Sequence, residues 1–582
     1  MIESRMVRKV SIEGEPKKEA CRDAIMSEDY ADILVDYIFD LSTLEDRVDI
    51  ICNQIISNQF AVLHTLNSSN ISLNLVRDGY YRAVPKLYGL MDTSNIEETG
   101  VQRIRRLPYL DLLGDGTIIG IIDTGIDYTN PLFLNADNTS RIAYLWDQTV
   151  TEGPLSKSIA YGREYTRKEL NEALKAENPL DVVPENDSDG HGTFLAAVAA
   201  GNIDIENDFS GIAPNATLIV VKLKPAKAYL REFFQIQEGA VAYQENDIMT
   251  AINYLIVKAE ELEHPLSILI GLGTSQGDHD GHTVLSSYLN TVSNLTGICV
   301  SVAAGNEGNA GHHYEGEIQF NTSEDVEIKV GENDKGMSLE LWSLSPSVFS
   351  VGIVSPSGEV AEKVPARQDT SVPVSFVLEP TKVQVTYGIA DMSSGNELIL
   401  MQFTDLVPGI WKIRVYNEFD IGTNYNIWLP ITNFVSSDTY FLRPNPYVTL
   451  VETGTAAQPI STATYNHKNN SIYIRSSRGY TLSGRVKPDL VAPGVNIYGP
   501  SGKNQFSTRS GSSIAAAHTA GIASLLLQWG IAEGHRTSLN TAEIKALLIK
   551  GAIRTNRTYP NQEWGFGAIN AYNAFESLRN RS

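Results

Sequence analysis

The chain has 582 residues, with 46 lysines and arginines against 69 aspartates and glutamates, a formal net charge of −23 and 42% hydrophobic residues. That apolar content suffices for a large core of more than one domain and rules out wholesale disorder. The negative excess repels phosphate backbones, which excludes non-specific nucleic-acid binding, and three cysteines (Cys21, Cys52, Cys299) are too few for a disulfide framework.

Met1 to Asp23 is polar and charged without an apolar h-region, so no secretory signal peptide is expected. Residues 1–25 read as a loosely ordered arm. Apolar runs stay far short of the roughly 20 residues a membrane span needs, and no span is expected. From Tyr30 the pattern tightens. Leu44–Asn58, apolar at Val48, Ile51, Ile55 and Ile56, predicts a helix; Phe60–Leu63 predicts a strand, and the alternation Ile71–Leu75 a second one. Together they suggest a small α/β unit.

Gly116–Ile122 is a continuous apolar run suited to a strand buried on both faces of a parallel sheet. Similar runs follow at Ala216–Lys222, Ser267–Leu272 and Gly297–Ala304, with helical patterns at His191–Ala200 and Asp247–Glu263 between them. Alternating strands and helices predict a doubly wound α/β sheet. From Tyr314 to about Ser437 the helical signals stop. Short alternating runs (Val326–Val330, Val383–Tyr387, Trp411–Val415, Tyr425–Leu429), separated by turns such as Ser355-Pro356-Ser357-Gly358 and Pro408-Gly409, predict an all-β insertion. The α/β pattern resumes near Val486, and a long apolar helix is expected over Ser513–Gln528.

Three short stretches carry chemistry. Asp123 ends a buried strand, at the edge where open α/β sheets build their sites. His191 opens a helix between two glycines, and Ser513 opens another. Taken singly, each has a plainer reading: an aspartate closing a turn, a polar histidine at a helix start, a serine N-cap. In this order, and in strand and helix contexts, they supply what nucleophilic acyl transfer needs. A serine attacks, a histidine moves the proton, and a buried aspartate orients the imidazole.

The stretches Asp123-Thr124-Gly125-Ile126, His191-Gly192-Thr193 and Gly511-Ser512-Ser513-Ile514-Ala515 resemble the signature motifs of the subtilisin-like serine peptidases, the subtilases. Ala303–Gly308 is similar to the segment carrying the family's oxyanion asparagine, and Lys487–Gly494 to the loop before its serine helix. The resemblance implies a catalytic Asp123, His191 and Ser513, an oxyanion donor in Asn306, and a peptide-binding edge at Gly271, Leu272 and Gly273, where substrate joins as an added strand. Two departures stand out: Ser512 replaces the usual threonine before the nucleophile, and Ala517 replaces the proline before His518.

Leu525–Ile531, Tyr559–Gly567, Val84–Leu90 and the β insertion resemble, more narrowly, the clostridial Csp germination proteases. That resemblance implies a prodomain over residues 1–93, a catalytic domain over 94–313 and 438–582, and a jelly-roll insertion over 314–437. It also implies self-cleavage within Leu90, Met91, Asp92, Thr93, Ser94 and Asn95, with the prodomain able to stay bound to the active site. The implied substrate is the zymogen of a spore-cortex hydrolase, and the implied place is the spore. The alternative it raises is a non-catalytic or prodomain-inhibited regulator working through protein contacts, related subtilase-fold paralogues among them. No cofactor is expected. Asp278-His279-Asp280-Gly281-His282 and His312-His313 are read as loops rather than metal ligands. Asn67-Ser68-Ser69 is read as a turn, and Cys299 as core.

Overall fold

Ile118–Asp123 lies wholly buried in a nine-stranded sheet, running parallel to Leu266–Ile270 on one side and Thr217–Lys222 on the other. This computed structural model describes residues 15–37, 50–67, 71–90, 101 and 112–579, apart from 157, 369, 418, 420, 421, 503 and 504. Because both faces of this strand are covered, its sequence is apolar up to Asp123 at its end. Ile119 and Ile121 enter one core with the helices His191–Ala200 and Ser512–Leu527. Ile118 and Ile122 enter the other with Glu245–Leu262 and Val284–Val292. The expected α/β sheet is therefore present, with helices on both faces and antiparallel strands at two places on its margin. Ser512–Ala532 has the length and apolarity of a membrane span, yet it is packed inside this core.

Ten strands between His313 and Phe441 form two packed antiparallel sheets of six and four strands. Their facing side chains, among them Trp411, Phe403 and Tyr425, make a separate buried core. The alternating runs seen in the sequence lie on these strands because one face of each packs inward.

The N-terminal unit differs from expectation in three respects. Glu15–Met26 is a helix, with Cys21, Ala24 and Ile25 buried, where a loose arm was expected. Ile50–Ile55 is a strand paired with Phe60–Leu66, not part of a helix over 44–58; residues 44–49 of that stretch lie outside the described residues. The apolar spacing there suits either period, and the hairpin partner decides it. Ile71–Arg77 is a helix rather than a strand, since Ser72 and Val76, four apart, are its buried residues. Cys21 and Cys52 form one disulfide, which joins the first helix to this hairpin, while Cys299 is free and buried. Of the Asn67-Ser68-Ser69 turn, only Asn67 is among the described residues.

Buried charge docks this unit on the α/β body. Asp32 accepts from the Lys227 ammonium at 3.0 Å and the Gln244 amide at 2.7 Å, and lies 2.8 Å from His64 Nδ1. Burial pushes its carboxyl up, but Lys227 and His64 outweigh burial and hold it well below the usual carboxylate range.

Candidate active site

At the carboxyl edge of the parallel sheet, Asp123, His191 and Ser513 come together from three elements, each almost fully buried. Asp123 Oδ1 accepts from the Thr124 amide at 2.8 Å and lies 2.6 Å from His191 Nδ1. A proton held on Nδ1 by that carboxylate leaves Nε2 as the acceptor, and Nε2 is 3.2 Å from Ser513 Oγ.

A residue the sequence reading passed over sets the histidine. Asp187 Oδ2 accepts from the Thr193 amide at 2.8 Å and its hydroxyl at 2.6 Å. Its Oδ1 accepts from the Gly190 amide at 3.0 Å and the Thr124 hydroxyl at 2.7 Å. Thr124 Oγ1 in turn accepts from the Gly192 amide at 2.9 Å. One carboxylate thus ties the start of the histidine helix to the aspartate loop. An acid shortly before a helix start is a local capping signal, and it was there to be read in Asp187-Ser188-Asp189-Gly190-His191.

Ser513 is the second residue of its helix. The Ser512 hydroxyl accepts from the Gly305 amide at 3.1 Å, and the Ser512 amide donates to Asn306 Oδ1 at 3.1 Å. Serine in place of threonine keeps this link, and Ala517 lies within a continuous helix. With its oxygen engaged, the Asn306 side chain presents its NH2 as the donor end. Glu307 follows, buried, with His312 Nδ1 at 2.7 Å. Burial raises its carboxyl, but His312 and the Thr432 amide outweigh that and hold it below the ordinary value.

Gly271 passes directly beside the nucleophile: a Cβ there would sit 2.7 Å from Leu195 Cδ1 and 3.1 Å from Ser513 Cβ. Leu272–Gly273 is already paired. Its antiparallel partner is Leu87–Leu90 of the N-terminal unit, with Leu272 opposite Leu90 and Gly273 opposite Gly89. On its other side that strand pairs with Tyr243–Gln244. The edge assigned to a peptide substrate is therefore filled by the chain's own segment. Leu90 belongs to it, whereas Met91, Asp92, Thr93, Ser94 and Asn95 lie outside the described residues.

The histidines singled out in the sequence as possible metal ligands are held in other contacts. His279 and His313 both stack on the Trp428 ring, at centroid separations of 3.9 and 4.7 Å. Burial lowers His279 to about 3 and His313 to about 4. His282 pairs with Asp278. Among the described residues no group of three or more histidine, cysteine or acidic side chains is placed to share a metal.

Comparison with known proteins agrees with this geometry. Residues 114–567 match the Subtilase family. The solved structure of the Clostridium perfringens CspB protease superimposes with a TM-score of 0.75 at 31% identity, covering 83% of this chain and 97% of that one. Subtilisin-like protease SBT2.2 of Arabidopsis thaliana is 23% identical across 81% of this chain and 61% of its own length. For subtilisin-like protease SBT3 of Solanum lycopersicum the values are 23%, 71% and 55%. This chain thus spans less than two thirds of either plant protease.

Proposed function

Because the chain belongs to the subtilase family, we propose that it is a serine endopeptidase acting by limited proteolysis. Ser513 Oγ attacks the peptide carbonyl carbon while His191 Nε2 takes its proton. The imidazolium, stabilised by Asp123, gives that proton to the leaving amine as the C–N bond breaks. Water, activated by the same histidine, then hydrolyses the acyl-serine ester. Asn306 supplies the side-chain donor for the oxyanion. Gly271, Leu272 and Gly273 hold the substrate backbone as an added strand. The observation that carries this reading is the continuous relay from Asp123 through His191 to Ser513 beside an occupied peptide-binding edge.

In this reading residues 1–93 are a prodomain, 94–313 and 438–582 the catalytic domain, and 314–437 a jelly roll. The chain cuts itself within Leu90–Asn95. The motif resemblance to the germination proteases, with the likeness to the CspB protease, supports a spore-cortex hydrolase zymogen as substrate and the spore as location. One observation favours the inhibited alternative: Ser513 is fully buried and the cleft is filled. A chain that kept this strand in place would act through contacts, including those with related subtilase-fold proteins. Intact-mass spectrometry of the wild type beside Ser513→Ala separates the two. Two fragments meeting within Leu90–Asn95 from the wild type, with one chain from the variant, is the expected result. One chain from both would reject self-processing.

A further inference from the structure

The segment 429–435, where the insertion returns to the α/β body, crosses the cleft. The Ser275 hydroxyl donates to the Leu429 carbonyl at 2.7 Å, and the Thr432 amide donates to Glu307 Oε1 at 3.0 Å, one residue from Asn306. The Gln237 amide donates to the Phe434 carbonyl at 2.8 Å. The segment is thus tied both beside the oxyanion loop and to the loop that precedes Tyr243–Gln244. Beneath it runs Leu87–Leu90, flanked by Leu272–Gly273 and Tyr243–Gln244. The bound strand is enclosed above as well as at both edges.

The enclosure is tightest at one register position. A Cβ on Gly89 would lie 2.8 Å from Ile431 Cδ1 and 3.3 Å from Phe434 Cε1. Both side chains are 1% exposed and belong to the main core, so neither swings aside freely. The neighbours on the strand are accommodated differently. Tyr88 is wholly buried in the opposite apolar cluster together with Leu272, Tyr243 and Leu285, and Leu90 packs against that same cluster.

We propose that Ile431 and Phe434 are specificity-determining residues, which admit to the cleft only peptide strands carrying glycine at the Gly89 register, with bulky apolar residues on either side. The substrate class is therefore an extended chain of aromatic-Gly-apolar pattern, cut shortly after it. The substrate half of this rests on the endopeptidase reading; the steric half does not.

The experiment follows hydrogen exchange in the full-length Ser513→Ala chain, which needs no turnover. Gly89→Val should raise exchange in peptides covering 85–90 and 270–275 by about tenfold or more, with 118–123 unchanged. Adding Ile431→Ala and Phe434→Ala should restore protection. Parent-like protection in Gly89→Val overturns the proposal, as does a failure of the roof substitutions to rescue. If Gly89→Val also loses protection at 118–123, the fold has failed, and Gly89→Ala is compared with and without the roof substitutions under the same criteria. In the active chain, self-cleavage read by intact mass should stop with Gly89→Val and return with the roof removed. A wild type that never cuts itself would sink self-processing while leaving the exchange result to judge the roof.

Discussion

The N-terminal unit meets the α/β body through strand pairing and apolar packing with a buried charge cluster added, whereas the hydrogen bonds that tie the returning segment 429–435 of the β insertion to it each use a main-chain group of that segment. On the first interface Asp32, Lys227, His64 and Gln244 interlock within 3.0 Å. On the second, Leu429, Thr432 and Phe434 use backbone groups, and Ile431 and Phe434 pack into the main core, where they also meet Gly89 of the N-terminal unit. A buried ion pair concentrates dependence in few atoms, because removing one partner strands the other in a low-dielectric site. Many weak contacts spread it. The insertion, moreover, is joined to the body at both ends of its sequence. The N-terminal unit is thus the piece that single substitutions can loosen, and the insertion the piece that shapes the cleft.

The largest expected effect leaves both interfaces alone. Asp123→Asn keeps the shape of the site but disturbs the imidazole's protonation and orientation, and self-cleavage should slow by about 10⁴. A time course by intact mass measures it, and an unchanged rate would remove Asp123 from the relay. Asn306→Leu should slow the same reaction by about 10²–10³ with the fold intact. Equal rates in the two chains would show that the oxyanion is met by other donors.

The interface comparison itself is tested at Lys227. Lys227→Met leaves Asp32 without its ammonium partner, at a cost of about 3–5 kcal/mol. Exchange protection across Tyr30–Asp36 and Phe60–Leu66 should then fall, while the sandwich strands keep theirs. Replacing Asp32 by leucine in the same chain should recover part of the loss. Equal softening of both regions would erase the distinction. Acidity alone does not undo the anchor: a carboxyl held below its ordinary value contributes stability above that value and loses it only as pH falls towards the lower one.

How far the sequence discloses this molecule follows the range of each interaction. Asp123, His191 and Ser513 stand at the ends of regular elements whose apolar patterns are local, so their setting can be read from short strings. Ile50–Ile55 and Ile71–Arg77 could not be read that way, since a few apolar residues fit either period and tertiary partners decide. Asp32 and Lys227 are 195 residues apart, and nothing near either names the other. Gly89 and Ile431 lie far apart in the chain, and no local string shows that one closes over the other. Asp187 is the exception, since its capping role lay within four residues of His191 and was missed.

The smallest predicted effect lies within the insertion and shows the opposite fate of a buried acid. Glu397 is wholly buried; its Oε2 accepts from the Phe349 amide at 2.9 Å and the Ser343 hydroxyl at 3.0 Å, both neutral donors. Burial pushes its carboxyl up to about 8, against an ordinary 4.5, and these hydrogen bonds only partly oppose the shift. Because the folded chain holds this proton more tightly than the unfolded one, the group's contribution to stability is full below about 4.5 and is lost as pH rises towards 8. Glu397→Gln removes that slope. Its melting temperature should match the wild type near pH 4.5 and exceed it near pH 8, by the equivalent of at most a few kcal/mol. Asp32 predicts no such gain from its own amide, since there the charge has partners. A Glu397→Gln chain that is less stable at pH 8 would mean that the carboxyl is ionised in the fold, and the contrast between the two buried acids would fail.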